Sequence, residues 1–143
     1  MFKPSKDFFI LSVLNLGLPI SEETNIYLGG LLTRMLDAEA FSSNQKGVIS
    51  DKAYSLQYYE LAASPQAQAK DYQRLGDILM FYSSAFHKKI RKDGISLELY
   101  YSLGSLSYEG AYLRSLKKPI ALKELSDKFS LISVNLEKLL ILK

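Results

Sequence analysis

Apolar side chains recur every three to four residues along most of this chain, the spacing that lays them on one face of an α-helix. The cleanest run is Leu122, Leu125, Phe129, Ile132, Leu136 and Leu139. Leu28, Leu31, Leu32, Met35 and Leu36 make a second run, and Tyr72, Leu75, Leu79, Tyr82, Phe86 and Ile90 a third. A fourth stripe joins Leu99, Leu103, Leu106, Gly110 and Leu113. No stretch alternates apolar and polar residues for long enough to be a strand.

Local signals set the boundaries. Ser5 caps a first helix over 6–16, Asp7 sits in its first turn, and Gly17 ends it. Ser21 caps a second over 22–40, where Glu22 and Glu23 meet the positive end of the helix dipole. The polar run from Ser42 to Gly47 is a loop. Ser50 caps a third helix over 51–63, and Ser64 with Pro65 at the first position opens a fourth. That helix extends to Lys92, with Phe86 as a candidate break and Asp93-Gly94 as its stop. Ser96 opens a fifth helix. At the corner Lys117-Lys118-Pro119 the proline drives Lys118 out of the α region, and a sixth helix follows. The expected fold is all-α, a single domain over 1–143 built as a bundle of about six helices. The last three form its core and the first two cover it.

Composition narrows the chemistry. Cysteine is absent, so neither a disulfide nor a thiolate ligand is available. The formal charge of +3 is too small an excess to argue for nucleic acid by itself. Phe8 to Ile20 is uncharged, but Asn15 and Pro19 interrupt it, Asp7 borders it, and no small-x-small cleavage site follows. No run reaches the length of a membrane span. The expectation is a buried first helix in a cytoplasmic protein, with no membrane contact.

His87 is the one histidine. With no partner histidine and no E-x-x-H pair it does not build a di-iron centre, and no G-x-S-x-G elbow supports a catalytic triad. Among Lys88, Lys89, Arg91 and Lys92 it reads as a residue of a solvated helix end. A sharper alternative is globin-like haem ligation by His87, with Phe41 packing the haem and Gln57 on the distal side. The Ser64-Pro65 break speaks against that alternative. Lys88 to Lys92 would join Lys117, Lys118 and Lys123 in one cationic patch if the end of the fourth helix lay beside the corner before the sixth. Nucleic-acid binding gains no further support, because no aromatic interleaving accompanies these cations. Arg74 and Asp77 flank Gly76 and can pair with each other or with another helix.

Ten tyrosines stand out, several at helical spacing beside glycines. Mid-helix glycine costs about 1 kcal/mol against alanine, so each asks for a reason. Tyr101, Gly104, Tyr108 and Ala111 share a face, which either closes a helix crossing or floors a pocket. Tyr82, Phe86, Tyr101, Gly104 and Tyr108 are accordingly the candidate ligand- or partner-binding residues. No catalytic residue, metal ligand or cofactor is expected.

The run Tyr72-Gln73-Arg74-Leu75-Gly76-Asp77, followed by Leu79 to Phe81, Phe86, Tyr100-Tyr101, Gly104 and Ala111-Tyr112, resembles a group of uncharacterised bacterial all-helical proteins. Ser21-Glu22-Glu23-Thr24 with Tyr27-Leu28 and Leu31-Leu32 is similar to them as well. Members carry a glycine, two phenylalanines and a proline where this chain has Ser84-Ala85-Phe86-His87, so the pattern asks for no histidine there. The resemblance implies a compact bacterial cytoplasmic domain and carries no activity. The expected function is a non-enzymatic module that binds a protein partner, with a small-ligand or haem binder as the alternative. The apolar end Leu139, Leu140, Ile141 and Leu142 is wider than one packed face needs. It points to a twofold homodimer through Leu139, Leu140 and Leu142.

Overall fold

Ser5 starts the first helix as expected, its Oγ accepting the Phe8 N–H at 3.2 Å. The computed structural model describes residues 5–41, 51–92, 94 and 96–140. Every element in these residues is a helix: α1 (Lys6–Leu14), α2 (Glu22–Phe41), α3 (Asp51–Ala63), α4 (Ala69–Ala85), α5 (His87–Lys92), α6 (Leu97–Arg114), α7 (Ile120–Asp127) and α8 (Phe129–Leu140). The predicted loop at Ser42 to Gly47 lies outside the described residues. None of the described helices is long and apolar enough to cross a membrane.

The count exceeds six because two predicted helices are broken. Within the fourth, the hydroxyls of Ser83 and Ser84 both donate to the Met80 carbonyl, at 3.2 and 2.7 Å. Such back-bonding competes with the helix ladder and bends it. Phe86 then leaves helical geometry at φ −121° and ψ 25°, separating α4 from α5. In the sixth, the Ser126 carbonyl is taken by the Ser105 hydroxyl of α6 at 2.7 Å. The chain opens two residues later at Lys128, between α7 and α8. The apolar stripe nevertheless runs through the bend, and Leu122, Leu125, Phe129, Ile132 and Leu136 are all buried. It closes on Leu140, while Leu139 is only partly covered.

The start of α4 also differs from expectation. Ser64-Pro65 opens a turn, and α4 begins four residues later behind Gln68, whose N–H donates to Asp71 Oδ2 at 2.9 Å. That local carboxylate bond belongs to a capping box at the helix entry.

α4 and α6 form the central pair and run antiparallel. The Tyr108 ring of α6 lies over Gly76 of α4, and the Tyr72 ring of α4 lies over Gly110 of α6. A Cβ added at Gly76 would stand 2.9 Å from Tyr108, and one at Gly110 2.6 Å from Tyr72. This crossing overturns the predicted leucine stripe on α6. Leu106 and Leu113 face solvent, and the inward face is Tyr100, Leu103, Gly104, Ser107, Tyr108 and Ala111. Beneath the two rings the helices approach too closely for any side chain, so glycine stands at both points.

The other helices wrap this pair. α8 enters through Phe129, whose ring fills the notch at Gly104, 2.2 Å from where a Cβ would be. α3 adds the edge-on ring pairs Tyr54–Tyr100 and Tyr58–Tyr72. α1 lies on α2, where a Cβ on Gly29 would come within 2.8 Å of the Ile10 backbone. One cluster of buried side chains draws members from all eight helices of the described residues. The expected core of the last three predicted helices is thus too narrow, because Leu28, Leu31 and Leu32 of α2 and Val13 of α1 are fully buried in the same cluster.

Candidate functional site

The five residues singled out from sequence do not share one pocket. Tyr101, Gly104 and Tyr108 converge on the Phe129 ring, with ring centroids 6.2 Å from Tyr101 and 5.9 Å from Tyr108. Phe129 occupies the space a ligand would need at Gly104. Tyr101 is half-buried and lines an open cleft of about 440 Å³ with Ser102, Ser105, Ser126 and Ser130. Tyr82 and Phe86 stack with Phe81 at the end of α4, 5.3 Å between their own centroids. Their rings pack partly against the core.

His87 opens α5 and turns its Nε2 to Glu137 of α8 at 3.3 Å. One turn earlier, Ser83 and Ser133 share a 2.7 Å hydrogen bond, so a polar seam joins α4 and α5 to α8. Ser83, Ser84 and Ser133 are buried, which removes them from any substrate. Gln57, the distal residue of the globin-like alternative, lines a different cleft with Asp71 and Arg74.

The single cationic patch does not form. Lys118 turns back on the end of α6, donating to the Leu113 carbonyl at 2.7 Å, with φ +48° at the corner. α5 lies at the opposite end, where Arg91 acts on Tyr101 near the start of α6. An 18-residue helix of about 27 Å separates the two groups. Lys123 pairs with Asp127 at 3.2 Å. At the C-terminal end Leu140, expected at a subunit interface, is buried in the chain's own core, and Leu139 is half-buried. Leu142 lies outside the described residues.

The constellation that does form centres on Asp77. Arg74, one of its expected partners, is exposed at the rim of the cleft it shares with Asp77. Asp77 instead points inward, 6% exposed. Tyr108 donates to its Oδ1 at 2.6 Å and Tyr27 donates to both oxygens, at 2.8 and 3.1 Å. Gln73 Nε2 donates to the Tyr27 hydroxyl at 2.7 Å, and Arg34 Nη2 stands 3.7 Å from Oδ2. Three helices, α2, α4 and α6, meet at this carboxylate. Burial pushes its acidity constant above the usual 3.8, and the tyrosine hydrogen bonds and Arg34 offset only part of that. Burial, with Asp77 nearby, also holds the Tyr108 and Tyr27 hydroxyls protonated far above neutrality.

Above this node a furrow crosses α4. Its first cleft, between α1, α2 and α7, holds about 410 Å³ and is lined by Lys6, Ile26, Tyr27, Arg34 and Gln73 among others. Arg34 and Gln73 also line the second, about 250 Å³, with Met35, Lys70, Arg74 and Ile78. Arg74 and Ile78 in turn line the third, about 280 Å³, which reaches Gln57 and Leu61 of α3. Shared lining residues make the three clefts neighbours in a row across α4.

Sequence reading missed this arrangement, although Asp77 falls on the buried side of α4 with Leu75, Gly76 and Met80. Tyr27 is 50 residues away from it in sequence, a separation that no helical spacing reveals. Among the described residues no group of three or more His, Cys, Asp or Glu is placed to hold a metal ion. No protein-family model, curated protein or solved structure matches this chain significantly.

Proposed function

We propose that this chain is a non-enzymatic interaction module of a bacterial cytoplasm, and that it receives an extended segment of a protein partner in the furrow across α4. The adjacency of the three clefts, each sharing lining residues with the next, carries this reading. An elongated, shallow surface with apolar floor residues such as Ile26, Met35, Leu61 and Ile78 suits a peptide in extended form. Asp77 lies beneath it with its acidity constant raised by burial, a property that also marks catalytic acids. Both of its oxygens are occupied by tyrosine hydroxyls, however, and it serves as a clamp between helices.

Selection of a random dodecapeptide library on the purified chain tests this. The same selection on Ile78→Trp, which fills the wall shared by two clefts with a neutral side chain, provides the control. Enriched peptides should bind the parent chain and lose at least about tenfold on the variant, the effect of one well-packed contact. Peptides that bind both proteins equally, or no enrichment at all, would refute the reading. A small-molecule reading has one observation in its favour: the first cleft lies in the usual size range for ligands and gathers Tyr27, Arg34 and Gln73. A metabolite that raises the melting temperature while no peptide is selected would favour it.

A further inference from the structure

Resting on the furrow reading, we infer that its middle takes an acidic side chain, so that the partner segment carries Asp or Glu at its centre. Arg34, Lys70 and Arg74 line the middle cleft. The acid within it, Asp77, lies below the surface with both oxygens engaged by Tyr27 and Tyr108. Arg34 is 58% exposed, so its guanidinium remains open to a second carboxylate. Planar guanidinium groups bind carboxylates in paired, charge-assisted hydrogen bonds. The neighbouring Asp71 is turned to the Gln68 N–H at the helix entry.

Charge also changes along the furrow, which gives the occupant a register. The first cleft adds Glu23 beside Lys6, and the third adds Glu60 and Asp71 around Arg74. A segment acidic at its centre and neutral or basic toward the third cleft matches that order, whereas an evenly acidic one meets like charge at Glu60 and Asp71. The chain's own 42–50 stretch, between α2 and α3, contains no Asp or Glu and does not supply the complement.

The peptides selected on the parent chain are the probes, measured by fluorescence anisotropy. Their central Asp and Glu are replaced by Asn and Gln, and the protein is compared with Lys70→Gln/Arg74→Gln, two exposed sites whose loss leaves the core intact. Arg34→Gln is read separately, because Arg34 also touches Asp77, and its melting curve checks folding. The amide peptides should bind the parent about tenfold more weakly, the scale of one charge-assisted hydrogen bond. On the double variant, which keeps only Arg34 of the three cations, that difference should shrink to about threefold or less. Raising salt to about 0.5 M should shrink it as well. Amide peptides that bind as tightly as acidic ones, while Ile78→Trp still blocks both, would overturn the acidic centre and leave the furrow reading standing. Peptides indifferent to Ile78→Trp would overturn both. Inorganic phosphate that stabilises the parent but not the double variant, with no peptide bound, would assign the cations to a free anion and overturn the inference.

Discussion

Asp77 and Glu124 both tie α2 to another helix, and both accept hydrogen bonds from hydroxyl groups, yet their acidities move in opposite directions. Glu124 of α7 sits at the beginning of α2. There it accepts from the Ser21 N–H at 3.0 Å, the Ser21 hydroxyl at 2.8 Å and the Thr24 hydroxyl. Burial is the largest single influence on each carboxyl and pushes both upward. At Glu124, which is only half-buried, the Thr24 and Ser21 bonds together with Lys128 outweigh it and hold the group below 4.5. At Asp77, two tyrosines and Arg34 do not. The hydrogen bonds are comparable in kind. What differs is how much water each carboxylate gave up, and Glu124 also lies where a helix presents free N–H groups to an anion.

Removing each carboxylate should magnify this contrast. Asp77→Ala leaves the buried Tyr108 hydroxyl without its acceptor and takes a shared partner from Tyr27. Each unsatisfied buried group costs about 1–3 kcal/mol, so a loss of about 2–4 kcal/mol is expected in urea unfolding. Asp77→Asn keeps the shape and one acceptor while removing a charge that burial disfavours. It should lose about 1 kcal/mol. An Asn variant as damaged as the Ala variant would mean that the charge, not the acceptor, holds the three helices together.

Glu124→Ala should be milder. Ser21 and Thr24 still make their own cap, with the Thr24 N–H donating to Ser21 Oγ at 3.2 Å, and water can reach the vacated position. The expected loss is about 1 kcal/mol, the scale of one helix cap. A loss equal to that of Asp77→Ala would show that contact between α7 and α2, not capping, is the main contribution.

The two regions also differ in how far they can be read from sequence. The cap at Ser21 is legible, because Ser followed by acids before an apolar run is a local signal and local signals survive folding. That Glu124 completes it is not, since the pairing spans 103 residues. Around Asp77 the glycines announce a close crossing, but the leucines of α6 mislead. The rule that the largest apolar residues face inward fails where helix axes approach so closely that only glycine fits beneath tyrosine rings. The break at Lys128 follows a serine bond from another helix, so the apolar stripe passes through it unmarked, whereas the one at Phe86 follows local bonds from Ser83 and Ser84. The furrow is less legible still. Its walls come from α1, α2, α3, α4 and α7, and only packing brings them together.

The smallest expected effect is the pH dependence, and it separates the two carboxylates by sign. A carboxyl whose acidity constant is raised on folding binds a proton more readily in the native state. Falling pH therefore adds stability as it passes through the folded value, and the gain is complete below the unfolded one. Asp77 is of this kind, so its window opens above 3.8 and closes near it. Glu124 is the reverse. Its contribution is present above the unfolded value near 4.5 and is lost as pH falls through the lower folded value. Urea unfolding of the parent, Asp77→Asn and Glu124→Gln across the acid range reads both. As pH drops toward 3.8, the parent's advantage over Asp77→Asn should widen, because the variant has no proton to gain. Below 4.5, its advantage over Glu124→Gln should narrow, because the parent's carboxylate is being neutralised. Two difference curves of the same slope would show that burial does not set the sign at Asp77, and that the hydroxyl groups of Tyr27 and Tyr108 stabilise the ionised form as effectively as the helix end does for Glu124.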